Sequence, residues 1–398
     1  MATTTPLPLA TPMARTSRSP IVEAQSWVAG KTFAPDRPLL NVSQAAPMAP
    51  PPLALRQEIA RLAVEDDEVH LYGAVLGLDA LRAELARQVS TTYHAQVNAA
   101  DIAITSGANE AFTAVMSTLA ASGDEVILPT PWYFNHKMWC DMAGVTAVPL
   151  PTGADMLPDL EQAASLITPR TRAIVLVTPN NPAGVEYPSE LLTKFYVLAR
   201  THGIDLVVDE TYRDFDAREG APHILLRQPD WRDTLVQIYS FSKAYRLTGH
   251  RVGALTASPE RLLQVEKYLD TVTICPNQLG QRAALWGMQN LGDWLAGERD
   301  EILKRRRALE DGFAPLAAKG WTLLGTGGFF AYVAHPFDMA SSALAPWLVD
   351  HAGVLVLPAT FFTPAGDPRG ARELRIAFAN LDCDAITDLL ERLQQIDP

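Results

Sequence analysis

Cysteine is scarce in this 398-residue chain: Cys140, Cys275 and Cys383 are odd in number and far apart. That excludes a disulfide framework and a cysteine zinc site, and it suits a reducing compartment, the cytoplasm. The eight histidines lack metal-site spacings such as H-E-x-x-H, so no metal is expected. Basic residues are in deficit, with 33 Lys+Arg against 45 Asp+Glu and a net charge of −12. Nucleic acid is therefore not an expected partner, because phosphate backbones are held by concentrated Lys and Arg. No apolar run approaches the roughly 18 residues of a membrane helix, so no membrane partner is expected either. A G-x-G-x-x-G dinucleotide fingerprint is missing as well. The Gly-rich run GTGGFF (325–330) lacks that spacing and reads as a turn approaching a substrate pocket.

Hydrophobic residues are plentiful at 48%, against 20% charged, which excludes a disordered chain and implies a large core. Residues 1–20, rich in Thr, Pro, Ala and Ser, have no continuous apolar stretch and read as a disordered tail rather than a secretory signal, with an organelle transit peptide as the alternative. Four prolines in NVSQAAPMAPPP (41–52) make that stretch an extended crossing between structural units. From Leu53 onward, helical periodicity in LALRQEIARLAVE and GLDALRAELARQVSTTYH gives way to short β-branched runs. DIAIT, DEVILP, TAVPL, RAIVLVTP, DLVVDE and TLVQIYSFS alternate with helical stretches. The pattern predicts an α/β fold: a large domain over 50–295, with a mainly parallel sheet sandwiched by helices. Helices dominate 276–319, and WTLLG, FFAYVAH, VLVLPAT and LRIAFAN then read as strands. Residues 21–49 and 296–398 are assigned to a smaller α+β domain.

Ligands in open α/β sheets sit beyond the carboxyl ends of the strands, so the residues after each strand matter most. After DIAIT, Ser106-Gly107-Ala108-Asn109 opens a helix, where backbone N–H groups and the helix dipole can face an anion. After RAIVLVTP comes Asn180-Asn181-Pro182-Ala183-Gly184, and after DLVV come Asp209, Glu210 and Tyr212. After TLVQIYS comes Ser240-Phe241-Ser242-Lys243, with Arg251 eight positions past the lysine. Each signal alone has a dull reading as a turn, an N-cap or a surface lysine. Together, a lysine for an imine, an acid for a pyridine nitrogen and a phosphate cup match the needs of pyridoxal 5′-phosphate (PLP).

At this point the chain resembles the fold-type-I PLP-dependent enzymes, specifically the class I/II aminotransferases, over about residues 35–390. The motifs that carry the resemblance are SGANEAF (106–112), PWYFNHK (131–137), NNPAG (180–184), DETY (209–212), SFSKAYRLTGHRVG (240–253) and LRIAFA (374–379). The resemblance implies that Lys243 forms the imine with the cofactor and that Asp209 pairs with its pyridinium nitrogen. It implies that Tyr212 and Asn181 reach the phenolic oxygen and that Tyr133 stacks on the ring, with Trp132 and Phe134 as neighbours in register. Gly107, Ala108, Asn109, Ser240, Ser242 and Arg251 match the phosphate cup. Tyr72, in LYGAVLG, matches a tyrosine that reaches the phosphate from the other subunit, which implies a homodimer with shared sites. Arg375 matches the arginine that grips the substrate α-carboxylate through a planar fork.

The chain departs from the family pattern at Gln44-Ala45-Ala46-Pro47, where a glycine near the substrate carboxylate is usual; Ala45 is kept as a substrate-wall residue. Arg246 stands where small residues are common and reads as either a surface residue or a neighbour of the phosphate. The implied reaction is transfer of an amino group from an L-amino acid to a 2-oxo acid, with Lys243 moving the proton. Another fold-type-I reaction, such as carbon–sulfur β-elimination, uses the same residues and stays open. The loop 271–276, TVTICP, has no cation to hold a second carboxylate. Aromatic candidates for the pocket wall are Phe329, Phe330, Tyr133, Trp27 and Phe33, so neutral, bulky or aromatic substrates are expected. Arg246, Arg213 or Arg218 would overturn that expectation by entering the pocket.

Overall fold

The computed structural model describes residues 10–47 and 49–398 of the chain. The strands, in chain order, are β1 (Leu40–Asn41), β2 (Ile102–Thr105), β3 (Glu125–Thr130), β4 (Thr146–Pro151) and β5 (Thr171–Val177). They continue with β6 (Asp205–Asp209), β7 (Leu235–Ser240), β8 (Gly253–Thr256), β9 (Thr322–Gly327) and β10 (Phe330–Ala334), then β11 (Val354–Leu355), β12 (Leu357–Pro358) and β13 (Glu373–Ile376). Among the described residues, a seven-stranded sheet has the order β2-β8-β7-β6-β5-β3-β4. Strand β8 runs antiparallel to both β2 and β7, and the other pairings are parallel. The carboxyl ends of β2, β5, β6 and β7 therefore lie along one edge of the sheet. That edge is where the sequence places its chemistry.

Strand periodicity explains why the sheet is covered on both faces. On β5, Ile174 and Leu176 join one apolar cluster, with Ile104, Leu206 and Val208 from neighbouring strands. Ala173 and Val175 join a second cluster, with Val126, Val207 and Ile238. Helix Ser189–His202 seals the first face through Leu192, Phe195, Tyr196 and Ala199, which recur at helical spacing.

The second sheet, β12-β13-β10-β9, is antiparallel and has its own apolar cluster, including Phe330, Val333, Leu374 and Ile376. Helix Cys383–Gln394 covers it with Ile386, Leu389, Leu390 and Leu393. The Asp382 carboxylate caps that helix by accepting from the Ala385 N–H at 2.9 Å, a contact of about 1 kcal/mol. Strand β1 pairs in parallel with β11, which stitches the early chain to the late chain.

Three local expectations are corrected. Residues 1–9 of the expected tail lie outside the described residues, but Thr11–Arg15 is a short helix that contacts helix Phe134–Ala143, and Pro20–Val28 is a further helix. VLVLPAT is two strands: β11 pairs with β1 while β12 pairs with β13, so the chain changes partner at Val356. LRIAFAN leaves the sheet after Ile376, because the Ala377 N–H donates to the Val42 carbonyl at 2.8 Å and a 3-10 turn, Phe378–Asn380, follows.

Candidate active site

A cavity of about 520 Å3 opens at the carboxyl ends of β5, β6 and β7. Its charged lining residues are Asp209, Lys243, Arg251 and Arg375, on four different segments. Lys243 sits in a four-residue helix, Phe241–Ala244, started by the Ser240 hydroxyl, which accepts from the Ser242 N–H at 3.2 Å. Its amine donates to the Ala45 carbonyl and lies 6.0 Å from the Tyr212 ring. Burial first, and then the positive Arg251 and Arg375, push its pKa down to about 8. Such an amine is a usable nucleophile and proton carrier near neutrality.

Asp209 ends β6 and is buried. Its Oδ1 accepts from the Thr211 N–H at 3.0 Å and the Thr211 hydroxyl at 2.7 Å, and its Oδ2 lies 3.4 Å from His136 Nε2. The buried imidazole is stacked on Phe112, with ring centroids 3.8 Å apart. Neither Thr211 nor His136 was singled out from the sequence. Both lay inside quoted motifs, DETY and PWYFNHK, and only folding shows that they meet the same carboxylate.

Arg375 projects from β13 and is only 2% exposed, so an ordinary surface arginine is ruled out. Its guanidinium lies 4.7 Å and 5.0 Å from the rings of Phe330 and Phe362. Nη1 donates to Asn181 Oδ1 at 2.8 Å and Nη2 to the Ser43 carbonyl. Burial lowers its pKa to about 10, so it is cationic at neutral pH. Nε is buried without a hydrogen-bond partner among the described residues. A bound carboxylate would complete such a fork.

The anion cup forms where β2 ends. Gly107 has φ +94°, and a Cβ there would lie 2.2 Å from Arg251 Nη2. A Cβ on Gly253 would lie 2.4 Å from the Gly107 carbonyl carbon, so main chain excludes a side chain there, while the positive φ strains any side chain at Gly107. Ala108 and Asn109 open the twelve-residue helix Ala108–Leu119, and Arg251 lies 3.5 Å from the Ser242 hydroxyl. Backbone N–H groups, hydroxyls and a guanidinium thus converge as an anion requires. Tyr133 lines the cavity; its hydroxyl accepts from Asn135 Nδ2 at 2.8 Å and donates to Asn109 Oδ1 at 3.3 Å. Tyr212 lines it too, and burial raises its phenol pKa well above the usual range. Ala45 packs into the apolar cluster of the second sheet while its carbonyl meets Lys243. Tyr72 is 81% exposed and stands apart from the cavity.

Several expected wall residues are elsewhere. Phe329 packs against Tyr212 and Phe215, because Phe330 takes the inward position after the GTGG turn. Trp27 stacks on Phe361, and Phe33 joins the cluster that contains Phe134 and Phe362. The outer wall comes instead from Ser19, Ile21, Val22 and Gln25, at the start and on the inner side of helix Pro20–Val28. None of the three arginines reaches the cavity. Arg246 pairs with Glu298, Arg218 pairs with Asp216, and Arg213 lies 3.8 Å over the Tyr239 ring beside Asp214.

The residues present fit PLP. Arg251 lies against the Gly107 turn, and Ser240, Ser242 and the start of helix Ala108–Leu119 line the cavity beside it, a donor set that suits a phosphate. The Asp209 carboxylate and the Lys243 amine line the same cavity, together with the aromatic Tyr133.

Comparison with known proteins agrees. The family model for aminotransferase class I and II matches residues 37–393. The aromatic aminotransferase ISS1 of Arabidopsis thaliana is 28% identical over 355 residues, covering 86% of this chain and 85% of that protein. The methionine aminotransferase of Escherichia coli (strain K12) is 25% identical over 395 residues, covering 97% and 99%. An aspartate aminotransferase of Sulfolobus acidocaldarius is 25% identical over 337 residues, covering 81% and 82%. Among solved structures, YbdL from Escherichia coli, described as having a methionine aminotransferase function, superposes with a TM-score of 0.86 at 23% identity. That superposition covers 98% of this chain and 100% of the other, and the shared fold is type I. The chain belongs to the class I and II aminotransferases and is a PLP-dependent aminotransferase.

Proposed function

We propose that this aminotransferase takes neutral, bulky or aromatic L-amino acids as donors and 2-oxo acids as acceptors. The observation that carries the reading is the charge inventory of the cavity. Its two cations besides Lys243 are Arg251, in the anion cup, and Arg375, in the carboxylate fork. A second carboxylate on the substrate would meet Ile21, Val22, Phe330 and neutral amides, where an unpaired charge is costly. Relatives named for aromatic amino acids and methionine support the reading, while the aspartate-named relative makes the measurement necessary.

In this reading, PLP supplies an aldehyde carbon and an electron-accepting pyridine ring. Arg375 and Asn181 would hold the donor α-carboxylate in the cavity that Lys243 also lines. The Lys243 amine would be the base that takes the Cα proton and hands it on across the intervening nitrogen, a 1,3 transfer by a single group. Asp209 would hold the ring nitrogen, Tyr212 and Asn181 the phenolic oxygen, and Tyr133 the ring face. With phenylalanine, methionine and aspartate assayed against a common oxo acid, kcat/KM is expected to be lowest for aspartate. A tenfold preference for aspartate, about 1.4 kcal/mol, overturns this pocket assignment. With a cysteine conjugate that carries a sulfur leaving group on Cβ, release of pyruvate and ammonia in place of the matching 2-oxo acid would mark β-elimination.

We also read the chain as a large cofactor-binding unit (50–295) and a small unit (21–49 with 296–398), supported by their separate apolar clusters. The working form is a cytoplasmic homodimer. Leu71, Tyr72, Val272 and Ile274 are exposed apolar side chains on two segments joined by the Gly73 N–H to Cys275 Sγ contact at 3.4 Å. Such a patch suits a protein partner, here a second copy whose Tyr72 reaches the anion cup. Mixing Tyr72→Ala and Lys243→Ala proteins, each inactive, is expected to restore up to about a quarter of the parental activity as heterodimers form with one intact site. Verified subunit exchange without recovery would argue against shared sites.

Among the described residues, no helix is long and apolar enough to cross a membrane, and no cluster of three His, Cys, Asp or Glu has metal-site geometry.

A further inference from the structure

We propose that Thr211 is a positioning residue for Asp209, fixing the rotation at which its carboxylate meets the cofactor ring. The proposal rests on the reading of Asp209 as partner of the ring nitrogen. A carboxylate on a one-carbon stem turns about two bonds. A single main-chain donor pins one oxygen but leaves the plane free to pivot on it. Here Oδ1 receives two donors from one residue, the Thr211 N–H at 3.0 Å and the Thr211 hydroxyl at 2.7 Å. On the other side Oδ2 lies 3.4 Å from His136 Nε2, and that ring is held by its stack on Phe112. Three contacts on two oxygens define the plane.

The choice of threonine follows from the same geometry. Its branched Cβ restricts χ1, so the hydroxyl is held in place rather than free to swing. A hydroxyl bonded to an ionised carboxylate is also a stronger contact than a neutral pair. Packing alone does not call for that hydroxyl. Thr211 is only partly buried and lines the cavity beside Asp209, and valine has the same shape without the donor. The residue acts through Asp209 and is not itself assigned contact with the reacting atoms.

The test measures PLP binding to the apo form of the full chain, with steady-state kinetics on a good donor as a second readout. Thr211→Val is expected to raise the PLP Kd about tenfold, 1.4 kcal/mol, and to lower kcat while KM for the donor stays within about twofold. Thr211→Ser, which restores the hydroxyl, is expected to bind PLP within about threefold of the parent. The thermal midpoint of the apo form is expected to be the same in all three. In an Asp209→Asn background the effect of Thr211→Val should shrink, since contacting residues are not additive.

Parental PLP affinity in Thr211→Val overturns the proposal. So does a Thr211→Ser protein as weak as Thr211→Val, which would make the effect one of shape. Full additivity with Asp209→Asn overturns it as well. An Asp209→Asn protein that binds PLP and turns over like the parent overturns the Asp209 reading itself, and that single variant reveals it before any Thr211 comparison.

Discussion

Lys243→Ala is expected to yield a folded protein that transfers no amino groups and whose absorbance with added PLP stays that of the free aldehyde. Among the cavity residues Lys243 is the one lysine, so no neighbouring amine can take over the bond or the proton transfer. Loss of an acid–base group alone costs about 100- to 10,000-fold in rate, and loss of the covalent link adds to that. Folding should survive, because the Lys243 side chain reaches a main-chain carbonyl and, among the described residues, makes no ion pair with an acid. Retained turnover in Lys243→Ala would remove this residue from the chemistry.

The lowered amine pKa, about 8, adds a pH signature. The neutral amine attacks and the ammonium does not, so PLP capture by the apo form should accelerate as pH rises and level off above about 8. Well below that value the rate should fall roughly tenfold per pH unit. A profile flat from pH 6 to 9 would mean that another step or group controls capture.

Arg375→Lys is expected to lower kcat/KM for every donor by a factor corresponding to about 2–5 kcal/mol, the range for truncating a buried, hydrogen-bonded charge contact. Lysine keeps the charge but not the fork, and it cannot reach Asn181 and Ser43 together while leaving a second nitrogen for a carboxylate. The phenyl rings of Phe330 and Phe362 fit a flat guanidinium better than a tetrahedral ammonium. Arg375→Ala is the less informative variant, because it strands two buried acceptors at about 1–3 kcal/mol each and mixes stability with binding. Kinetics with a simple amine that lacks the α-carboxylate provide the control. Its rate should be low in both proteins and nearly unaffected by Arg375→Lys. An equal loss on that amine would indicate general damage to the site.

Much of this site was legible because its parts are local. A buried β-branched run that ends in an acid, or in Ser-Phe-Ser-Lys, is a statement about neighbouring residues, and strand alternation places the next side chain at the sheet edge. Lys243, Asp209, Tyr212 and the Gly107 turn were accessible on that basis, and their order along the chain matched one cofactor. The strand breaks at Val356 and Ile376 were not accessible. A run of apolar β-formers looks the same whether it keeps one partner or changes partner, and here β1, some 300 residues upstream, decides.

The pocket wall shows the same division. The chain itself determined the fold class and brought out the candidate anion cup, lysine and acid, because each depends on periodicity or on adjacent residues with fixed backbone geometry. Only the tertiary structure decided that Arg375 is buried beside two phenyl rings and that His136 and Thr211 meet one carboxylate. It also decided that helix Pro20–Val28, not Trp27 or Phe33, presents Ile21 and Gln25 to the cavity, and that Arg213, Arg218 and Arg246 are tied elsewhere. The physical reason is that the reach of a long side chain, and the partner that neutralises its charge, depend on which distant segments fold beside it.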